Sequence, residues 1–165
     1  MKWTSLEGHS APSLWAMSTI TSPRLNAKRA VPDLYKAMLA LDEAVANSGL
    51  DPLLQELVKM RGSQINGCAY CLNMHSADAI AAGERHERLH VLAGWREAPT
   101  WFDERERAAL AFTEAVTKIG PHGVPDDVYD AAAEQFSESE LGALLFLVMT
   151  INAWNRLAVT THTSP

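Results

Sequence analysis

From Pro32 onward, apolar residues recur at helical spacing and divide the chain into amphipathic helices separated by capping and turn signals. Leu34, Met38, Leu41 and Val45 fall at i, i+4, i+7 and i+11, a stripe that ends near Gly49. Asp51-Pro52 opens a second helix, with a capping acid ahead of proline at the first helical position. Leu54, Leu57, Val58, Arg61 and Ile65 mark one side of it until Asn66-Gly67 interrupts. An Ala-rich helix is predicted from Cys68 to Ala82 with Gly83 as its C-terminal cap, and another from Glu84 to Trp95 before Pro99. Asp103-Glu104-Arg105-Glu106 is a capping box for a helix reaching Lys118, and Pro125-Asp126-Asp127 begins a shorter helix to Gln135. Ser137-Glu138-Ser139-Glu140 is a second capping box, with Phe136 and Leu141 placed as a hydrophobic staple. The helix beyond it, 138–159, is the most apolar and is expected at the centre of the core. No stretch alternates as a β-strand does. The expected fold is all-α, a single-domain helical bundle over residues 31–165, preceded by an irregular Ser-, Thr- and Pro-rich N-terminal arm over 1–30. Met17 lies in that arm as an alternative start.

Composition narrows the partners more than the fold. At 165 residues, with 47% hydrophobic and 21% charged residues, the chain is long enough and apolar enough to bury a core without staples. A net charge of −6 with no basic cluster argues against nucleic acid or an anionic membrane as partner. The N-terminus lacks the apolar run of a signal sequence, and no stretch reaches the ~18 continuous apolar residues of a spanning helix. Cytoplasm is the expected compartment.

The two cysteines carry the candidate chemistry. Cys68 and Cys71, the only ones in the chain, are spaced C-x-x-C at the predicted start of a helix, with His75 one turn further on. At about 100° per residue the three positions lie within roughly 60° of one another, on one stripe. A disulfide three residues long closes too short a loop to stabilise the fold much. A reducing compartment would hold the pair as thiols awaiting an oxidant. A helix N-terminus favours a thiolate, which points to Cys68. Side chains that lean toward the helix N-terminus bring His75 back over Cys71, which points to Cys71. The specific base carries more weight than the helix dipole, so Cys71 is the expected nucleophile. Glu56, in the preceding helix beside its apolar stripe, is either a helix-end charge or an orienting partner for His75.

Metal binding is the competing reading. Cys68-x-x-Cys71 followed by His86-x-x-x-His90 matches the spacing of a two-cysteine, two-histidine zinc site. The cysteines lead into an Ala-rich helix rather than a hairpin, however, and His86 and His90 sit among Glu84, Glu87 and Arg88 on what reads as a solvated face. Trp95, Trp101 and Trp154 are expected to be packing groups. Asn152, Asn155 and Arg156, in an otherwise apolar helix, are expected to form a buried polar pairing or an interface feature.

The run from Glu56 through Arg61, Gly67-Cys68-Ala69-Tyr70-Cys71 and His75 closely resembles the alkylhydroperoxidase D-like proteins of the carboxymuconolactone decarboxylase-like superfamily. The likeness continues through Ala81-Ala82-Gly83-Glu84, Gly94-Trp95-Arg96-Glu97 and Glu104 to Leu110, and includes Asn152-Ala153-Trp154-Asn155-Arg156. The resemblance implies an all-helical fold, homo-oligomers such as trimers or hexamers, and thiol-dependent peroxidase activity. By the same resemblance Cys71 matches the peroxide-attacking cysteine, Cys68 the resolving cysteine, His75 the relay histidine and Glu56 the relay glutamate. One position departs from the pattern: Tyr70 stands between the cysteines where a histidine is found, and an auxiliary role in orienting water or a proton is open to it. The decarboxylase branch lacks the C-x-x-C pair, which disfavours a lyase. The expectation is a peroxidase that takes a hydroperoxide substrate and an external dithiol reductant, with no haem, flavin or metal. A dithiol reductase or sensor is the alternative.

Overall fold

The computed structural model describes residues 24–165, so residues 1–23, with most of the expected arm and Met17, lie outside it. The described part of the arm is more regular than expected. Asn26 caps a single helical turn, α1 (Ala27–Ala30), by accepting from Arg29 N at 2.9 Å. α2 (Pro32–Ala46) and α3 (Pro52–Asn66) begin at the prolines the sequence marks, and Asp51 caps α3 through a hydrogen bond from Leu54 N at 2.9 Å. α4 (Ala69–Ala81) follows, with Cys68 itself as N-cap.

The single helix expected over Glu84–Trp95 is instead α5 (His86–Val91) running into a 3-10 helix, Leu92–Glu97. Gly94 sits there at φ −108°, ψ 28°, outside helical values; a residue with no Cβ gains least from continuing the helix. α6 (Glu104–Thr117), α7 (Asp126–Gln135) and α8 (Glu138–Thr161) complete the order. Both capping boxes form, and Phe136 and Leu141 are buried in the same cluster, as a staple requires. Among the described residues the only β pairing is an isolated bridge between Gly120 and Gly123.

α3 is the hub, packed against α4, α6 and α8. It approaches α8 closely because Gly62 has no side chain: a Cβ there would lie 3.2 Å from Ile151 Cγ2. On one side of α3, Leu54 and Val58 join Phe112, Leu144 and Val148; on the other, Leu57 joins Leu92, Trp95, Phe102 and Leu110. α8 is long and apolar enough, by length and composition alone, to cross a membrane. Its apolarity has a local account, since Leu141, Leu144, Leu147, Val148 and Ile151 are buried in the bundle. A small third cluster joins Cys68 and Cys71 to Ile151 and Ala158 of α8, and so fixes the thiols against the core.

Candidate functional site

The thiols are placed by a sharp turn between α3 and α4. Gly67 ends α3 in the left-handed conformation at φ +65°, which costs a glycine little, and lets Cys68 N donate to Ser63 O at 3.0 Å. Cys68 then turns extended and becomes the cap of α4, its Sγ accepting from Cys71 N at 3.4 Å. Both cysteines are free, and their sulfurs touch at 2.6 Å. Each is almost wholly enclosed, Cys68 1% and Cys71 2% exposed.

They differ in what they face. Cys71 and His75 line a cavity of about 640 Å³, and Cys68 does not. The walls come from α2, α4 and α8, with Tyr35, Leu39, Tyr70, Met74, Trp154 and Leu157 making them largely apolar. Tyr35 and Trp154 meet edge to face at 5.4 Å. Leu25 to Lys28 and Thr161 to Ser164 also line the cavity, and Arg24 N donates to Thr161 O at 3.1 Å.

Glu56 and His75 are joined directly. His75 Nδ1 lies 2.9 Å from Glu56 Oε2, and Lys59 Nζ lies 2.8 Å from the other carboxylate oxygen. Burial pushes the Glu56 carboxyl up, but the hydrogen bonds from His75 and Lys59 and the Lys59 charge outweigh it and hold the group below its ordinary value. An ionised Glu56 makes Nδ1 the donor and leaves the lone pair on Nε2. Among the described residues His75 makes no hydrogen bond to either sulfur; it shares with Cys71 a helix face and a cavity wall. Burial pushes the Cys71 thiol up to about 12, helped by its contact with Cys68, while a hydrogen bond from Asn155 works the other way.

Asn155 belongs to a buried polar network that ties α3 to α8. Asn66 Nδ2 donates to Asn152 Oδ1 and Asn155 Oδ1, both at 2.9 Å, and Asn155 Nδ2 donates to Ser63 Oγ at 3.0 Å. The buried pairing expected of Asn152 and Asn155 is therefore present, while Arg156 is exposed and donates to Asn152 at 2.7 Å. Ser63 and Asn66 escaped the sequence reading; the one signal was their place just ahead of the cysteines. Of the tryptophans, Trp95 is core and donates to Glu114 at 2.8 Å, whereas Trp154 is a cavity wall rather than a packing group alone.

The zinc-like spacing does not close in space. His86 and His90 stack loosely on exposed α5, while the cysteines are buried. Among the described residues the three-ligand grouping is Glu56, His75 and Asp78, whose ligand atoms lie within 4.8 Å of one another. Lys59 already supplies a cation to that carboxylate.

A family profile described as the carboxymuconolactone decarboxylase family matches residues 32–115. YdfG of Bacillus subtilis, an uncharacterized protein, is 33% identical over 138 residues, which span 84% of this chain and 93% of the relative. Among solved structures, ATU0492 of Agrobacterium tumefaciens is a protein of unknown function with antioxidant defence protein AhpD as its suggested identity. It superposes with a TM-score of 0.83 at 37% identity, covering 87% of this chain and 99% of its own. A peroxidase-related protein from Ralstonia eutropha JMP134, described as an alkylhydroperoxidase AhpD core, has a TM-score of 0.73 at 23% identity over 84% of this chain and 74% of its own. At that identity the likeness is one of fold.

Proposed function

The chain belongs to the carboxymuconolactone decarboxylase family, in its alkylhydroperoxidase D-like branch, and on that footing we propose that it is a thiol-dependent peroxidase cycling Cys68 and Cys71 between dithiol and disulfide. One observation carries the reading: a thiol that faces a cavity beside an imidazole, with a second thiol touching it from behind. Cys71 attacks the terminal oxygen of a hydroperoxide, the O–O bond breaks, and the alcohol or water leaves with the proton that Cys71 gave up. His75 Nε2 takes that proton and passes it on, while Glu56 holds the ring through Nδ1. The Cys71 sulfenic acid then condenses with Cys68, releasing water and forming the disulfide. An external dithiol returns both sulfurs to thiols and is itself oxidised.

The raised Cys71 pKa is consistent with this order of events. A thiol pushed up that far is protonated at neutral pH, so attack requires a base at the moment of reaction. The cavity offers His75 for that purpose.

Peroxide consumption with several supplied dithiols tests the proposal. Turnover in the native protein, abolished in Cys71→Ser, is expected. Reduction of a disulfide substrate without peroxide turnover would move the assignment to a dithiol reductase.

A further inference from the structure

His75, Glu56 and Lys59 form a linked series that starts at the cavity wall. His75 lines the cavity, and neither Glu56 nor Lys59 does. Glu56 Oε2 lies 2.9 Å from His75 Nδ1, and its other oxygen accepts from Lys59 Nζ at 2.8 Å. A molecule in the cavity therefore meets the imidazole, with the carboxylate and then the ammonium behind it. Lys59 stands three residues from Glu56 on α3, and an exposed pair at that spacing would contribute little. This pair is enclosed, with 15% of the Lys59 side chain and 12% of the Glu56 side chain exposed. Among the described residues Lys59 is the one cation besides His75 that pairs with Glu56. Water solvates such a carboxylate poorly, so its charge depends on the ammonium beside it.

We infer that Lys59 is a positioning residue of the relay: it keeps Glu56 ionised, and Glu56 in that state holds the His75 proton on Nδ1 and leaves Nε2 free as the base. The inference rests on the proposed peroxidase chemistry, in which Nε2 takes the Cys71 proton. Removal of the ammonium leaves burial, which raises the Glu56 carboxyl, opposed by His75 alone. A protonated Glu56 can itself donate a hydrogen bond, so the ring is no longer confined to one tautomer. Asp78 Oδ2 lies 3.9 Å from Nδ1, but its side chain is 58% exposed, and a solvated carboxylate holds the ring weakly. Cys71 and Tyr70 on α4, Asp42 on α2, and Lys28 and His162 are further titratable groups around the cavity. All of them stay native in the variants below, so a difference between variants belongs to position 59.

Nitrogen NMR of the histidines in the full, reduced chain reads the relay without peroxide. Native His75 should carry its proton on Nδ1 at neutral pH. Lys59→Met, which keeps the length and loses the charge, should show both tautomers. The pH at which acidification abolishes peroxide turnover should rise by about one unit in that variant, because the Glu56–His75 pair binds a proton more readily without a cation beside it. On the acid side turnover then falls about tenfold at a given pH. Lys59→Gln, which keeps a donor without the charge, should shift the profile in the same direction, and Lys59→Arg should restore it. A lysine that only steadied α3 would change melting and leave tautomer and profile alone. A native tautomer and an unmoved profile in Lys59→Met and Lys59→Gln would overturn the inference, as would a native His75 protonated on Nε2. A tautomer that depends on Lys59 in a protein without peroxide turnover would defeat the peroxidase reading and still support the role of Lys59 in holding the ring.

Discussion

The two thiols differ in what they face, and the difference assigns them separate steps. Cys71 lines the cavity, and Cys68 caps the helix behind it. If Cys71 is the attacking sulfur, Cys71→Ser should lose sulfenic acid formation and turnover together. Cys68→Ser should still be oxidised once and retain a sulfenic acid on Cys71, which a dimedone-type probe and mass spectrometry would locate. Label on Cys68 in the Cys71→Ser variant would reverse the assignment in favour of the helix-end thiolate. The pH profile reports on the relay. With Cys71 at about 12, attack by a preformed thiolate would accelerate about tenfold per pH unit throughout the neutral range. With His75 as base the native rate depends on pH less steeply than that. His75→Ala should lose about 10²–10⁴-fold at neutral pH and take on the steep rise. Glu56→Gln should lower the rate less than His75→Ala does, and native turnover in that variant would leave Glu56 a structural charge.

At the scale of elements, the parts of the fold written in local signals were legible and those decided by tertiary contact were not. Asp51-Pro52, Asp103 and Ser137 act within a few residues of themselves, and each starts a helix where the sequence indicates. The stripe of Cys68, Cys71 and His75 follows from helical geometry alone. Glu56 was ambiguous because its role depends on a contact across nineteen residues, from α3 to α4. Ser63 and Asn66 were out of reach for the same reason, since their hydrogen bonds with Asn155 join α3 to α8 across roughly ninety residues. The break at Gly94 was missed because a single glycine inside a helical pattern usually only weakens it. Gly67 is where local and tertiary structure meet, and it offers a test. A Cβ there meets no neighbour within 4 Å, so Gly67→Ala costs only the strain of an L residue at φ +65°, about 1–2 kcal/mol. Urea unfolding should give that loss with an unchanged m-value. A neutral result would show that the turn into Cys68 relaxes out of the left-handed conformation.

Across the whole molecule, carboxylates held by cations and donors join helices that are distant in sequence, and this makes the fold sensitive to acid. Glu114 on α6 accepts from Trp95 at 2.8 Å and pairs with Arg61 of α3 at 2.7 Å and Arg96 at 2.6 Å. Burial raises its pKa, and these three donors more than reverse the shift. Glu56 is depressed in the same sense, and the capping-box hydrogen bonds from Ser137, with Arg105, hold Glu140 at about 2. In each case the folded carboxyl gives up its proton more readily than the unfolded one. The stabilisation is therefore complete above the unfolded value near 4.5 and is lost as pH falls through the lower folded values. Glu140 is half-exposed, and solvent screens its share. Glu114 with Arg61 and Glu56 with Lys59, pairs whose two partners are largely enclosed, carry the effect. The melting temperature should be level from pH 7 to about pH 5 and then fall progressively toward pH 2. Glu114→Gln should lower the plateau and make the decline shallower, because one proton-linked group has been removed and Arg61 and Arg96 have lost their anion. A variant whose melting curve keeps the native slope below pH 4.5 would show that Glu114 is not among the groups that take up protons as the chain unfolds.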